Sequence, residues 1–397
     1  MTVPDLVRIE GVVRDYAWGS TTSLQTMFGL PVDGRPAAEF WLGAHPDDPA
    51  SVPELGTTLD ALIARDPDAA LGADVVARFG PRLPFLLKVL AADKALSIQV
   101  HPTLEQARDG FAREAHLTAG DAHRNYRDAN HKPELLCALT PFEALCGFRP
   151  VADTLDLLDA LALPRLIPIA EWLSRPGGLE RVFSALLRDA DPETLAYEVA
   201  DAARGLPERF AGAARAVELA AGDFPGDIGV AISLLLNYVR LEPGEAIYLG
   251  AGNVHCYLRG TGVEIMANSD NVLRCGLTPK HIDVDELLRI TEFVELADPR
   301  WPLQSGQPGR GRFVTPAPDF ALAWVDVTTD SQPLYRGLAQ VVLCTSGSAG
   351  VRAGDSVVGL TPGQAAFVSA TAVADVRSDG SGRVFIASVA PTSTSGR

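Results

Sequence analysis

The sequence predicts a mainly β protein with an α-helical insertion and two β-barrel units, and three observations lead there. Short apolar runs such as Phe85 to Leu90 and Ala95 to Val100 alternate with Pro- and Gly-rich stretches, which reads as strands joined by turns. Across residues 151–225 the apolar residues instead recur at helical spacing. Finally, Leu241-Glu-Pro-Gly-Glu-Ala-Ile-Tyr-Leu-Gly-Ala echoes Leu360-Thr-Pro-Gly-Gln-Ala-Ala-Phe-Val-Ser-Ala, a turn followed by a strand occurring twice.

Taken in order, residues 1–150 form the first part of one barrel. Residues 151–225 form the helical insertion, where Leu155, Leu158 and Ala162, then Val182, Phe183, Leu186 and Leu187, mark the buried stripes. Residues 226–315 return to strands punctuated by Pro-Gly at 243–244, Ala-Gly at 251–252 and Arg-Gly-Thr-Gly at 259–262, and complete that barrel. Residues 316–397 form the second barrel. The first copy of the echo runs on to His255, whereas the second continues Thr371-Ala372-Val373 with no histidine, so a single metal site belongs to the first copy. The polar tail 391–397 is expected to fray.

Composition excludes several classes. A length of 397 residues with 47% hydrophobic and 21% charged residues supplies two or three cores and gives no sign of general disorder. A formal charge of −16 repels phosphate backbones, which argues against nucleic acid as the partner. The apolar runs fall well short of the ~20 residues that cross a bilayer. The opening stretch carries Asp5, Arg8 and Glu10 and lacks a continuous apolar segment, so a cytoplasmic location is expected. Cys137, Cys146, Cys256, Cys275 and Cys344 are scattered without a CxxC pair, which fits reduced thiols. A monomer is expected, with other oligomeric states left open.

Three segments hold ligand-capable groups. In Ile98-Gln-Val-His-Pro102 a strand places Gln99 and His101 on one face. Alone, that pattern is better read as a polar strand face with a satisfied histidine. Asn130-His-Lys-Pro-Glu134 adds a carboxylate in a polar turn, and Gly250-Ala-Gly-Asn-Val-His255 adds a second histidine at a glycine-punctuated strand end. Two histidines, a carboxylate and an amide oxygen suit Zn²⁺ with an exchangeable position for water or substrate. Sequence spacing leaves their convergence open.

Through Tyr16-Ala-Trp-Gly19, Trp41-Leu-Gly-Ala-His-Pro46, Phe85-Leu-Leu-Lys-Val-Leu90, Leu96-Ser-Ile-Gln-Val-His-Pro102 and Asn130-His-Lys-Pro-Glu134, the chain resembles type I mannose-6-phosphate isomerases. The run Gly262-Val-Glu-Ile-Met-Ala-Asn-Ser-Asp-Asn-Val-Leu-Arg274, followed by Gly276-Leu-Thr-Pro-Lys280, is the most specific. It implies two cupin-type (jelly-roll) barrels, the second without metal, and an inserted helical domain. It further implies one Zn²⁺ per chain held by Gln99, His101, Glu134 and His255, with Arg274 catalytic. The implied reaction interconverts mannose 6-phosphate and fructose 6-phosphate through a cis-enediolate.

That reaction needs a cation for the enediolate, a proton carrier and a phosphate anchor. Arg274 stays protonated and suits charge stabilisation. Lys132 and Glu264 lead as proton carriers, ahead of His131 and Asp270, which suit ring opening or positioning. A salt bridge from Glu264 to Arg274 or Lys280 is the structural alternative. Lys88, Lys280, Arg274 and the Ser97 hydroxyl are candidates for the phosphate, although a surface lysine and a strand-face serine are the ordinary readings of Lys88 and Ser97. Trp18 and Trp41 either wall the sugar or lie in the core. His45 is a pocket or structural residue, and His116 and His123 belong to a solvated loop or lid. The competing functions are a cupin metalloenzyme of other specificity, such as an iron oxygenase, and a non-catalytic sugar-phosphate-binding cupin.

Overall fold

A computed structural model describes residues 3–390 except 119, with the side chains of 305 and 306 also outside the description. The tail 391–397, expected to fray, lies outside the described residues. The chain is mainly β with helices, as expected. It divides into two compact units, Met1–Ala91 with Gly262–Asn268 and Trp301–Arg397, and Ala92–Thr261 with Ser269–Arg300.

In the first unit the strand Leu6–Ile9 pairs antiparallel with Ala365–Val368, which pairs in turn with Gln340–Gly347. Gly382–Ser388, Ala321–Val327 and Arg310–Phe313 extend that sheet. One face buries Ala323, Val325, Val342, Ala366, Val384 and Ile386 in an apolar cluster, the alternation that a half-buried strand requires. Elsewhere in the unit, Glu39–Gly43 pairs with Val12–Arg14 and with Phe85–Ala92, a strand buried along its whole length.

The second unit carries the longest run of helix. Between the strands Phe142–Phe148 and Leu236–Leu241 lie helices Val151–Leu161, Ile167–Leu173, Gly178–Leu187, Pro192–Ala203 and Ala211–Asp223. Asp191 caps Pro192–Ala203 by accepting from the Thr194 N–H at 3.3 Å, and Pro192 occupies the first turn, where its missing N–H costs nothing. In Gly178–Leu187 the expected Val182, Phe183 and Leu186 are buried, whereas Leu187 is only partly so. In Val151–Leu161 the phase differs from expectation: Thr154, Leu157, Leu158 and Leu161 are buried, Leu155 packs only partly, and Ala162 ends the helix with φ 52°. Its Ala-, Leu- and Asp-rich text offers two overlapping stripes, and packing selects one.

Both Pro-Gly turns of the internal echo are followed by strands, Ala246–Leu249 and Ala365–Val368, and both glycines take positive φ, Gly244 at 94° and Gly363 at 83°. All five cysteines are buried free thiols. No helix among the described residues is long and apolar enough to cross a membrane.

Candidate metal centre

The short strand Ile98–Val100 sets the centre. Ile98 and Val100 are fully buried, so the pleat turns Gln99 to the opposite face. Across the ladder Gln99 stands opposite His255 on one side and Arg274 on the other. His255, Gln99 and Arg274 therefore form a row across three strands, each about 4.8 Å from the next. His101 follows the strand directly, and Glu134 opens the strand Glu134–Ala138. The His101 carbonyl accepts from Gly252 N–H at 2.9 Å, tying it to the turn before His255. Gly252 has φ 77°, and a Cβ there would meet Glu292 Cγ at 2.5 Å, so glycine is required.

The four expected ligands converge. His101 Nε2 lies 3.3 Å from Glu134 Oε1, His255 Nε2 lies 3.6 Å from Glu134 Oε2, and the Gln99 amide nitrogen lies 3.3 Å from His255 Nε2. A half-turn of that amide would present its oxygen to the same point. Each histidine uses Nδ1 on a backbone carbonyl, His101 on Asn271 at 2.8 Å and His255 on Asn253 at 3.0 Å. A carbonyl only accepts, so Nδ1 carries the proton and each Nε2 lone pair faces inward.

Electrostatics keep the set in its ligating form. Burial holds the His101 imidazole neutral, and burial together with the neighbouring His101 pushes His255 down to about 4. Burial alone would raise the Glu134 carboxyl, but Lys132, His101 and His255 draw it well below the usual range. His101 Nε2 and Glu134 Oε2 are sealed from water without a hydrogen-bond partner. Two neutral imidazoles and a carboxylate, with ligand atoms within 4.8 Å of one another, thus fit a divalent cation.

Around this cluster Lys132 Nζ stands 3.2 Å from Glu134 Oε1, with half-buried His131 beside it in sequence. Asn271, absent from the sequence-based candidates although it lies in the Asn268 to Arg274 run, proves central. Its own carbonyl orients His101, while its side chain accepts from Arg127 N–H at 2.7 Å and donates to the carbonyls of Asp128 at 2.9 Å and Asn130 at 2.8 Å. One buried amide thereby holds the segment leading into His131, Lys132 and Glu134. Asp270 joins the same tie, its N–H donating to Asp128 Oδ2 at 2.7 Å.

A cationic patch adjoins the row. Burial, and then Arg127, lower the Arg274 pKa; Arg274, burial and Arg127 lower that of Lys280. Like charges held this close call for an anion. Arg127 carried no signal in its charged segment. Asp227 fixes the turn that carries Lys280, accepting from Leu277 N–H at 2.7 Å and Thr278 N–H at 3.2 Å while Leu277 holds φ 52°. Ser97 is half-buried just before the Gln99 strand, and His116 and His123 are exposed.

The remaining expected residues belong to the other unit. Lys88 is buried, against the surface reading: its Nζ lies 3.4 Å from both Glu39 and Glu264 and 5.1 Å from the centre of the Trp41 ring. The ion pair found for Glu264 is thus with Lys88, not the alternative with Arg274 or Lys280. Trp41 is buried and donates to Glu39 at 2.7 Å, whereas Trp18 is half-buried and stacks on Tyr16.

Residues 6–151 match the family model of phosphomannose isomerase type I, catalytic domain. The mannose-6-phosphate isomerase of Escherichia coli (strain K12) is 38% identical over 374 residues, covering 90% of this chain and 93% of the relative. That of Rattus norvegicus is 32% identical over 389 residues, covering 88% and 89%. Among solved structures, a mutant phosphomannose isomerase from Salmonella typhimurium superposes with a TM-score of 0.91 at 34% identity, covering 98% of this chain and all of that one. A mannose 6-phosphate isomerase bound with zinc and yttrium gives 0.89 at 34% identity over the same shares.

Proposed function

The chain belongs to the type I phosphomannose isomerase family, and from that premise we propose that it is a zinc-dependent mannose-6-phosphate isomerase, interconverting the aldose and fructose 6-phosphate through a cis-enediolate. One observation carries this reading: the buried, partnerless His101 Nε2 and Glu134 Oε2 cluster with His255, which shares a cross-strand row with Gln99 and Arg274. Gln99, His101, Glu134 and His255 hold one zinc ion, which supplies Lewis-acid charge beside the substrate oxygens.

The protein groups divide the remaining work. Arg274 faces the developing enediolate charge, since its guanidinium stays protonated and shares the row with Gln99. Lys132, next to Glu134, moves the proton between C2 and C1, with Glu264 as the second carrier. His131 and Asp270 act in ring opening and in positioning the sugar hydroxyls. The phosphate is taken by Lys280 and Arg274, joined by Arg127, whose mutual repulsion a dianion relieves. Ser97 adds a hydroxyl. Lys88, already between two carboxylates, contributes less to that anchor than its charge suggests. Trp18 serves as an apolar wall.

The accompanying fold is two cupin-type barrels with residues 151–225 inserted in the first, and 316–397 as the metal-free second. The repeated turn-and-strand pattern and the helical run between two paired strands support it. The protein acts in the cytoplasm as a monomer on a small sugar phosphate.

The test is to give zinc-loaded protein mannose 6-phosphate in D₂O. Formation of fructose 6-phosphate with solvent deuterium at C1 is expected. Folded, zinc-loaded protein that forms no ketose overturns the isomerase, and ketose that never takes up deuterium overturns the enediolate step.

A further inference from the structure

Arg310 and Arg312 lie on one face of the strand Arg310–Phe313, opposite Val325 and Ala323. Those two pair onward with Val384 and Ile386, all within the apolar cluster of the C-terminal segment. Two cations thus stand over an apolar floor, and with Leu334 and Tyr335 they line a cavity of about 200 Å³.

The arginines are not consumed by the fold. Arg310 donates to Gln332 at 2.9 Å, but neither arginine has an ion-pair partner among the described residues. Arg312 Nε is sealed from water with no acceptor, and its guanidinium stands 5.3 Å from the centre of the Tyr335 ring. A donor left unmade is unfavourable, so the Arg312 guanidinium, which lines the cavity, gains a partner if it turns toward an anion there. The aromatic wall is preset. Buried Gln340 accepts from Tyr335 N–H at 3.0 Å and donates to the Tyr335 carbonyl at 2.8 Å.

We propose that this cavity, in the segment that lacks the metal ligands, binds a small phosphomonoester. The two guanidinium groups take the dianionic phosphate, and the apolar floor with Tyr335 takes the carbon part. None of its lining residues is among those assigned to the isomerase, and the proposal does not depend on that activity.

Zinc-loaded full-length protein is titrated calorimetrically with glycerol 3-phosphate, inorganic phosphate and glycerol. The titrations are repeated in Lys280→Gln, which weakens the other anion site, and in Arg312→Gln and Arg310→Gln. Glycerol 3-phosphate is expected to bind Lys280→Gln with one equivalent, severalfold more tightly than inorganic phosphate, and glycerol not at all. Arg312→Gln should weaken that binding at least tenfold while isomerase kcat stays within twofold. Arg310→Gln supplies the same comparison should Arg312→Gln not fold. Absence of binding in Lys280→Gln overturns the proposal, as does undiminished binding in the folded arginine variants. Equal affinity for phosphate and glycerol 3-phosphate overturns the organic ligand.

Discussion

Replacing Asn271 by alanine removes the tie between the metal ligands and the segment carrying Lys132. Three short bonds are lost, with Arg127 N–H at 2.7 Å and the carbonyls of Asp128 and Asn130 at 2.9 and 2.8 Å, from a side chain that is fully buried. At about 1 kcal/mol net per bond, more where a partner stays dry, the variant should lose about 2–4 kcal/mol of stability. Because the backbone loosened by losing these bonds carries the Asn271 carbonyl that orients His101, zinc affinity should fall about 10–100-fold. That is about 1.4–2.7 kcal/mol, within the structural loss. Asn271→Asp keeps the acceptor for Arg127 but removes both donors and places charge beside Asp128, so it should not restore affinity. Denaturant unfolding of the metal-free protein gives the first quantity, and competition with a chromophoric chelator gives the second. Stability within about 0.5 kcal/mol of the parent, together with zinc affinity within about threefold, would refute the coupling; the first of these limits is the size of an ordinary surface substitution.

The other predictions test separate parts of the account. Lys280→Gln and Arg127→Gln should each raise KM for mannose 6-phosphate about tenfold with kcat little changed, the mark of binding energy lost equally from ground and transition states. Arg274→Gln should instead lower kcat about 10²–10³-fold while zinc content, measured by elemental analysis, stays at the parent value. For Glu286, burial would raise the pKa, but hydrogen bonds from Arg289, Tyr126 and Arg113 draw it down to about 2. The folded pKa lies below the ordinary 4.5, so the stability it contributes is present above pH 4.5 and is lost as pH falls toward 2. Glu286→Gln should therefore be less stable than the parent at pH 7, with the gap narrowing across that window in denaturant unfolding.

Much of this could be read from the chain, for identifiable reasons. Pro-Gly turns and helical stripes are local signals, so the strands after residues 244 and 363 and the helices between 151 and 223 were legible. The stripe of Val151–Leu161 was ambiguous because its four leucines fit two overlapping stripes, and the packing buries Thr154 in place of Leu155. Pairing of Leu6–Ile9 with Ala365–Val368 joins segments some 360 residues apart, and nothing local encodes it. The ligand types were visible in three motifs, but the row of His255, Gln99 and Arg274 exists only through strand register. Lys88 read as a surface residue because its two carboxylates lie about 50 and 176 positions away. Asn271 was hidden because an amide bonded to backbone leaves no periodicity or charge pattern.

The central claim is that one zinc ion, held by Gln99, His101, Glu134 and His255, makes the protein an isomerase. Its most direct test is a zinc titration of the chelator-stripped protein, reading fructose 6-phosphate formation from mannose 6-phosphate at each addition. Activity should start near zero, rise linearly and break at one equivalent per chain, and Glu134→Gln should show no break at that concentration. Full turnover in the stripped protein, or a Glu134→Gln titration that matches the parent, would contradict the account.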